Sequence, residues 1–192
     1  MTSERRSTMA ISRHILVVDD DRTNRMMITY RLQAGGHQPA SAENGVEALA
    51  ALKESHFDLV LLDLLMPDMD GYTTLQMIKK DSELQSTPVI MMSAVGEMDS
   101  VVRCLELGAE DYLAKPVDPL VLASRINGIL AREDVQKIQA DFGRVIERLA
   151  DSAKAAGRGE LPTGALDDLV RDGGPIGRLA DEIQRFATAE ER

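Results

Sequence analysis

Short apolar runs recur along this chain, each closed by a polar residue and followed by a stretch of helical spacing. His14-Ile15-Leu16-Val17-Val18 leads into Asp19-Asp20-Asp21, Leu59–Leu62 into Asp63, Pro88-Val89-Ile90-Met91-Met92 into Ser93, and Asp111–Ala114 into Lys115-Pro116. Runs of this length, bounded by turn residues, are what strands buried on both faces look like. Gln38–Ala42 is a weaker strand with the character of an edge, because Pro39 cannot donate to a ladder. Helices are predicted between these strands. The first spans 22–34, with Met26, Met27 and Tyr30 on one face and Gly35-Gly36 as its stop; the others span 45–54, about 72–80, and 100–107 closed by Gly108. Strand and helix thus alternate five times up to about residue 131, which predicts right-handed crossovers and an α/β, doubly wound, five-stranded parallel sheet.

Such sheets place their ligand site beyond the carboxyl ends of the strands. Those ends carry Asp19 and Asp20, Asp63, Ser93 and Lys115, from four different strands. Taken singly, Asp63 could cap a loop, Asp19 and Asp20 could favour a helix N-terminus, and Ser93 and Lys115 could be solvated groups; their joint placement carries the inference. Three converging carboxylates repel one another and call for a counter-charge. Mg²⁺, with Mn²⁺ as the alternative ion, binds oxygen ligands of this kind. Asp20 and Asp63 are the expected direct ligands, with Asp19 acting through water and the Leu65 backbone carbonyl filling a further place. Ser93 and Lys115 would hold phosphoryl oxygens, and Asp63 would be the nucleophile, forming an acyl phosphate. Asp21, Asp68 and Asp70 are expected to serve as loop and capping residues.

Composition narrows the picture. With 3% aromatic residues, no Trp and 10 Met, the core must be filled by aliphatic and thioether side chains. The net charge of −10 is spread without a basic region: up to residue 119 there are 11 basic and 19 acidic residues, and beyond it 11 and 13. Binding to nucleic acid is not expected from that balance. The single Cys, Cys104, rules out an internal disulfide and reads as a small apolar filler. No apolar run approaches the roughly 20 residues of a membrane span, and the opening residues lack a signal peptide's apolar core. A cytoplasmic protein with a flexible segment over 1–11 is expected.

Beyond Pro119 the pattern changes. Ala131, Val135, Ile138, Phe142, Val145, Leu149, Ser152 and Ala156 alternate at spacings of four and three, which predicts one long helix to about Ala156. A stripe of this kind suggests a parallel coiled-coil homodimer through 120–156; the alternative is a helix folded back on its own domain. A break over 157–164 is followed by a second periodic stretch, Ile176, Leu179, Ile183 and Phe186, after Pro175. All three His precede residue 57, so the tail cannot be a His phosphotransfer or kinase domain, and its expected output is a helical rearrangement passed to a downstream protein.

Residues 12–131 resemble a response-regulator receiver domain of two-component signalling. The resemblance rests on Val17-Val18-Asp19-Asp20, on Asp63 with Met66-Pro67 and Asp70-Gly71, on Ser93-Ala94 and on Lys115-Pro116. It implies a flavodoxin-like strand order 2-1-3-4-5, Asp19 and Asp20 as the Mg²⁺ acid pair, Asp63 as phosphoacceptor, Ser93 as switch hydroxyl, Lys115 as phosphate-binding cation and Tyr112 as switch aromatic. A cis peptide before Pro116 is also implied. The phosphoryl donor would be a histidine kinase or His-phosphotransfer protein, and the chain would turn over no separate substrate. Val117 stands where the family usually has an aromatic, so packing under the last helix is expected to be looser. Leu65 and Val95 are apolar where the family's side chains lie near the hydrolytic water, which points to a long-lived phosphoryl state. Residues 132–192 form a helical output tail in which Arg148–Leu161 and Ile176–Phe186 weakly resemble a HAMP module. Two other classes share part of this pattern: a haloacid-dehalogenase-type phosphatase, which needs an acid where Leu65 stands, and a receiver-like interaction module working without phosphate.

Overall fold

The computed structural model describes residues 12–94, 98–158, 160–162, 164–172 and 174–189. The segment expected to be flexible, 1–11, and the apolar Val95 lie outside the described residues. The chain divides into two compact units, one ending at Arg132 and the other starting at Glu133.

The first unit runs β1 (His14–Val18), α1 (Arg22–Ala34), β2 (Gln38–Ala42), α2 (Gly45–Glu54), β3 (Leu59–Asp63), α3 (Gly71–Lys80), β4 (Val89–Ala94), α4 (Met98–Glu106), β5 (Asp111–Lys115) and then α5 (Pro119–Ala156). The strands form one parallel sheet in the order β2-β1-β3-β4-β5. β2, with its Pro39, is an edge strand.

Successive side chains of a strand point to opposite faces, and here each face meets its own apolar layer. Leu16, Val18, Val60, Leu62, Val89 and Met91 pack with Leu52, Phe57, Leu75 and Ile78 on one side of the sheet. Ile15, Val17, Leu59, Leu61, Ile90 and Met92 pack with Ile28, Leu32, Leu122 and Ile126 on the other. Pairing Val18 with Leu62, Asp63 with Met92 and Ala94 with Lys115 brings the polar residues that close the apolar runs to the same edge of the sheet.

α1 carries two faces of helical spacing and buries one of them. Met26 and Tyr30 are 63% and 73% exposed, whereas Arg25, Ile28 and Leu32 face the sheet. Both sets have helical spacing, and the branched aliphatic residues take the core. Val117 is buried in the second layer, and a cavity of about 150 Å³ lined by Arg31, His37, Leu122 and Ile126 adjoins the start of α5.

The second unit contains the end of α5, α6 (Asp167–Asp172) and α7 (Gly174–Ala189). Leu149, Leu166, Leu169 and Ala180 form its core, with Val145, Val170, Ile176 and Ile183 packed around them. Arg148 clamps α6 by donating to both Asp168 carboxylate oxygens at 2.6 and 2.8 Å and to the Ala165 carbonyl. The short α6 carries no pattern long enough to have been predicted. The α5 stripe is therefore divided. Leu149 and Ala156 are buried and Val145 is partly covered within one chain, whereas Val135, Ile138 and Phe142 are exposed. Among the described residues no helix is long and apolar enough to cross a membrane.

Candidate functional site

β1 ends in Val18, and the buried Asp19 follows. Its Oδ1 accepts from the Asp21 N–H at 2.9 Å, while Oδ2 is ion-paired with Lys115 Nζ at 2.7 Å. Asp20 is exposed. Asp21 caps α1, its carboxylate accepting from the Thr23 and Asn24 N–H groups; these bonds hold its carboxyl below the usual range.

Asp63 closes β3 and is 4% exposed. Its Oδ1 lies 2.8 Å from Lys115 Nζ. The loop behind it is tight: a Cβ on Gly71 would come within 2.2 Å of the Asp63 carbonyl oxygen and 2.8 Å of Leu64 Cα, so only Gly lets α3 start against the strand end. Asp70 caps that helix by accepting from the Thr73 N–H at 2.7 Å. Leu65 lies in the same loop with its side chain 63% exposed, and it offers no acid for the haloacid-dehalogenase alternative.

The Ser93 hydroxyl, on β4, is buried with no hydrogen-bond partner among the described residues. On β5, Tyr112 packs against the first apolar layer and its hydroxyl donates to the Ala94 carbonyl at 3.3 Å. The Lys115–Pro116 peptide is cis. Asp19, Asp20 and Asp63 each offer an oxygen within 4.8 Å of the others. Every residue singled out in the sequence for this chemistry, apart from Val95, lies on these strand ends and the loops that leave them.

Electrostatics follow from that crowding. Burial, with the Asp19 charge adding to it, raises the Asp63 carboxyl, and Lys115 opposes the rise. Burial pulls the Lys115 ammonium down, but its bonds and charge pairing with Asp19 and Asp63 outweigh that and leave it raised. The site thus gathers a buried carboxylate, a cation held between two acids and a cluster of hard oxygen donors. Arg25 was not foreseen. Its side chain bonds the Asp19 and Asp20 backbone, and the signal for it is a cation inside the Ile28 and Leu32 stripe of α1.

Known proteins show the same organisation. Residues 15–127 match the family described as response regulator receiver domain. The chain is 42% identical over 120 residues to a probable transcriptional regulator, ycf27, of Porphyridium aerugineum, covering 62% of this chain and 49% of that protein. It is 38% identical over 135 residues to the phosphate regulon transcriptional regulatory protein PhoB of Shigella flexneri, covering 67% and 59%. Among solved structures, a putative response regulator from Chloroflexus aurantiacus superimposes with a TM-score of 0.61 at 34% identity, over 62% of this chain and 98% of that one. The receiver domain of a Syntrophus aciditrophicus histidine kinase does so with 0.59 at 36%, over 62% and 91%. Fold and strand-end chemistry together define a signalling module of the two-component class. The chain belongs to the response regulator receiver family, and it spans about half the length of the curated relatives it matches.

Proposed function

We propose that this receiver accepts a phosphoryl group on Asp63 from a phosphohistidine donor, either a histidine kinase or a His-phosphotransfer protein. The observation that carries the reading is the Asp63 carboxylate at a strand end, 2.8 Å from Lys115 Nζ and within 4.8 Å of the Asp19 and Asp20 donors. An Asp63 oxygen attacks phosphorus, the P–O bond forms as the P–N bond breaks, and the electron pair leaves with the donor imidazole. Lys115 and the Ser93 hydroxyl take up phosphoryl oxygens, so charge spread over the transferring group meets a cation and a hydrogen-bond donor.

The donor set fits Mg²⁺ or Mn²⁺: all its atoms are hard oxygens, and the three carboxylates that converge face a single ammonium. Asp20, Asp63 and the Leu65 carbonyl would hold the ion directly and Asp19 through water; the bound ion supplies further charge neutralisation. Leu65 cannot orient a water by hydrogen bonding, which supports a slowly hydrolysed acyl phosphate. Ser93 and Tyr112 act as the switch pair, and the helical tail passes the change to a downstream protein. The chain works as a cytoplasmic signalling protein without a separate substrate and without nucleic acid of its own. Val135, Ile138 and Phe142, exposed on α5, are the part of the stripe left to a second copy, forming a homodimer.

Transfer of label from a phosphorylated His-phosphotransfer protein tests the reading. Label on this chain should be released by hydroxylamine or alkali, as an acyl phosphate must be; label stable to both would contradict it.

A further inference from the structure

Arg25 is 7% exposed on the inner face of α1, and a buried Arg is rare unless its charge is matched. Its guanidinium is directed at the backbone that carries the acid pair. Nη1 donates to the Asp19 carbonyl at 2.7 Å and to the Asp20 carbonyl at 2.9 Å. Nη2 donates to the Glu43 carboxylate, on the connection between β2 and α2. That connection is itself fixed, because the Glu43 N–H donates to Glu47 Oε2 at 2.9 Å and Asn44 caps α2. One planar fork thus joins two loops, a geometry that suits a guanidinium better than an ammonium.

The two carbonyls it holds belong to the peptides on either side of Asp20. Among the described residues, no hydrogen bond or ion pair holds the exposed Asp20 carboxylate itself. The direction in which that carboxylate leaves the backbone is therefore set by its flanking peptides, whose two carbonyls are held by Arg25 and whose Asp21 N–H is held by Asp19 Oδ1. We infer that Arg25 is a positioning residue for the divalent cation, anchored by Glu43 and acting through the Asp19–Asp20 backbone. The inference rests on the proposed reading of Asp19, Asp20 and Asp63 as the cation site.

The test is a Mg²⁺ titration of the whole chain followed by NMR, with melting temperature and the rate of phosphorylation by a small acyl phosphate measured alongside. Wild type is compared with Arg25→Met, Arg25→Lys and Glu43→Gln. Partners outside the ligand shell commonly contribute about 10- to 100-fold in metal affinity. Arg25→Met should weaken Mg²⁺ binding about 10-fold or more, Arg25→Lys less, and Glu43→Gln least but in the same direction. The phosphorylation rate should fall at low Mg²⁺ and return to the wild-type value at saturation, a split that loss of fold stability alone does not produce. Glu43 is 65% exposed in its side chain, so Glu43→Gln remains folded even where Arg25→Met does not. Unchanged or tighter Mg²⁺ binding in folded Arg25→Lys and Glu43→Gln would overturn the inference. Absence of Mg²⁺ binding in wild type would instead overturn the cation reading beneath it, and all the variants would then titrate alike.

Discussion

Asp63 and Lys115 are paired at 2.8 Å in a setting where burial opposes both charges. Burial makes the Asp63 charge costly, so its folded pKa lies above the unfolded value. Above the folded pKa that charge is less favourable in the folded state than in the unfolded one. Asp63→Asn should therefore raise the melting temperature while removing phosphoryl acceptance, and a clear drop in melting temperature would contradict the sign. Lys115→Met removes the cation that faces both Asp19 and Asp63; phosphorylation by an acyl phosphate should slow by about 10²-fold, as when one stabilising donor is lost. Gly71→Ala pushes a methyl group into the Asp63 peptide. Overpacking of this kind costs about 1–3 kcal/mol, readable in urea unfolding. Asp70 shows the opposite linkage. Its bonds to Thr73 hold its pKa below the ordinary 3.8, so its capping contribution is complete above that value and is lost as pH falls through the folded pKa. Asp70→Ala should cost about 1 kcal/mol at pH 7, and the difference from wild type should close in acid.

At the scale of elements, the strand ends are what make separate residues into a site, and they were legible because a buried strand leaves a continuous apolar run that stops at its last polar residue. β1, β3, β4 and β5 could be placed this way, and with them Asp19, Asp63, Ser93 and Lys115. α1 was less legible. Met26, Met27 and Tyr30 satisfy helical spacing as well as Ile28 and Leu32 do, and only packing against the sheet decides which face is inner. Arg25 escaped notice for the same reason, since its value lies in two backbone carbonyls rather than in any motif. α6 escaped because six residues hold too little periodicity to register. The stripe on α5 was legible as a stripe, but what covers it depended on α6 and α7. Leu149 is 3% exposed in the core of the second unit. Leu149→Ala should cost about 2–5 kcal/mol locally, exposing 145–189 to protease and hydrogen exchange while the amides of β1 and β3 stay protected. Equal loss of protection in both units would show that they unfold together.

For the molecule as a whole, a receiver fold is joined through one continuous helix to a second helical unit. The family match closes at residue 127, near the start of that helix. What the relatives do beyond their receivers therefore does not describe the tail. Each unit has its own apolar core, and α5 is the element that runs through both. Light scattering with and without phosphorylation reads whether Val135, Ile138 and Phe142 join two copies: a dimer mass supports it, and a monomer in both states contradicts it. Everything downstream depends on Asp63. Treatment of wild type and Asp63→Asn with acetyl phosphate and Mg²⁺, followed by intact-mass spectrometry, tests that most directly. Wild type should gain the mass of one phosphoryl group and Asp63→Asn none; an unmodified wild type, or an equally modified variant, would contradict the assignment.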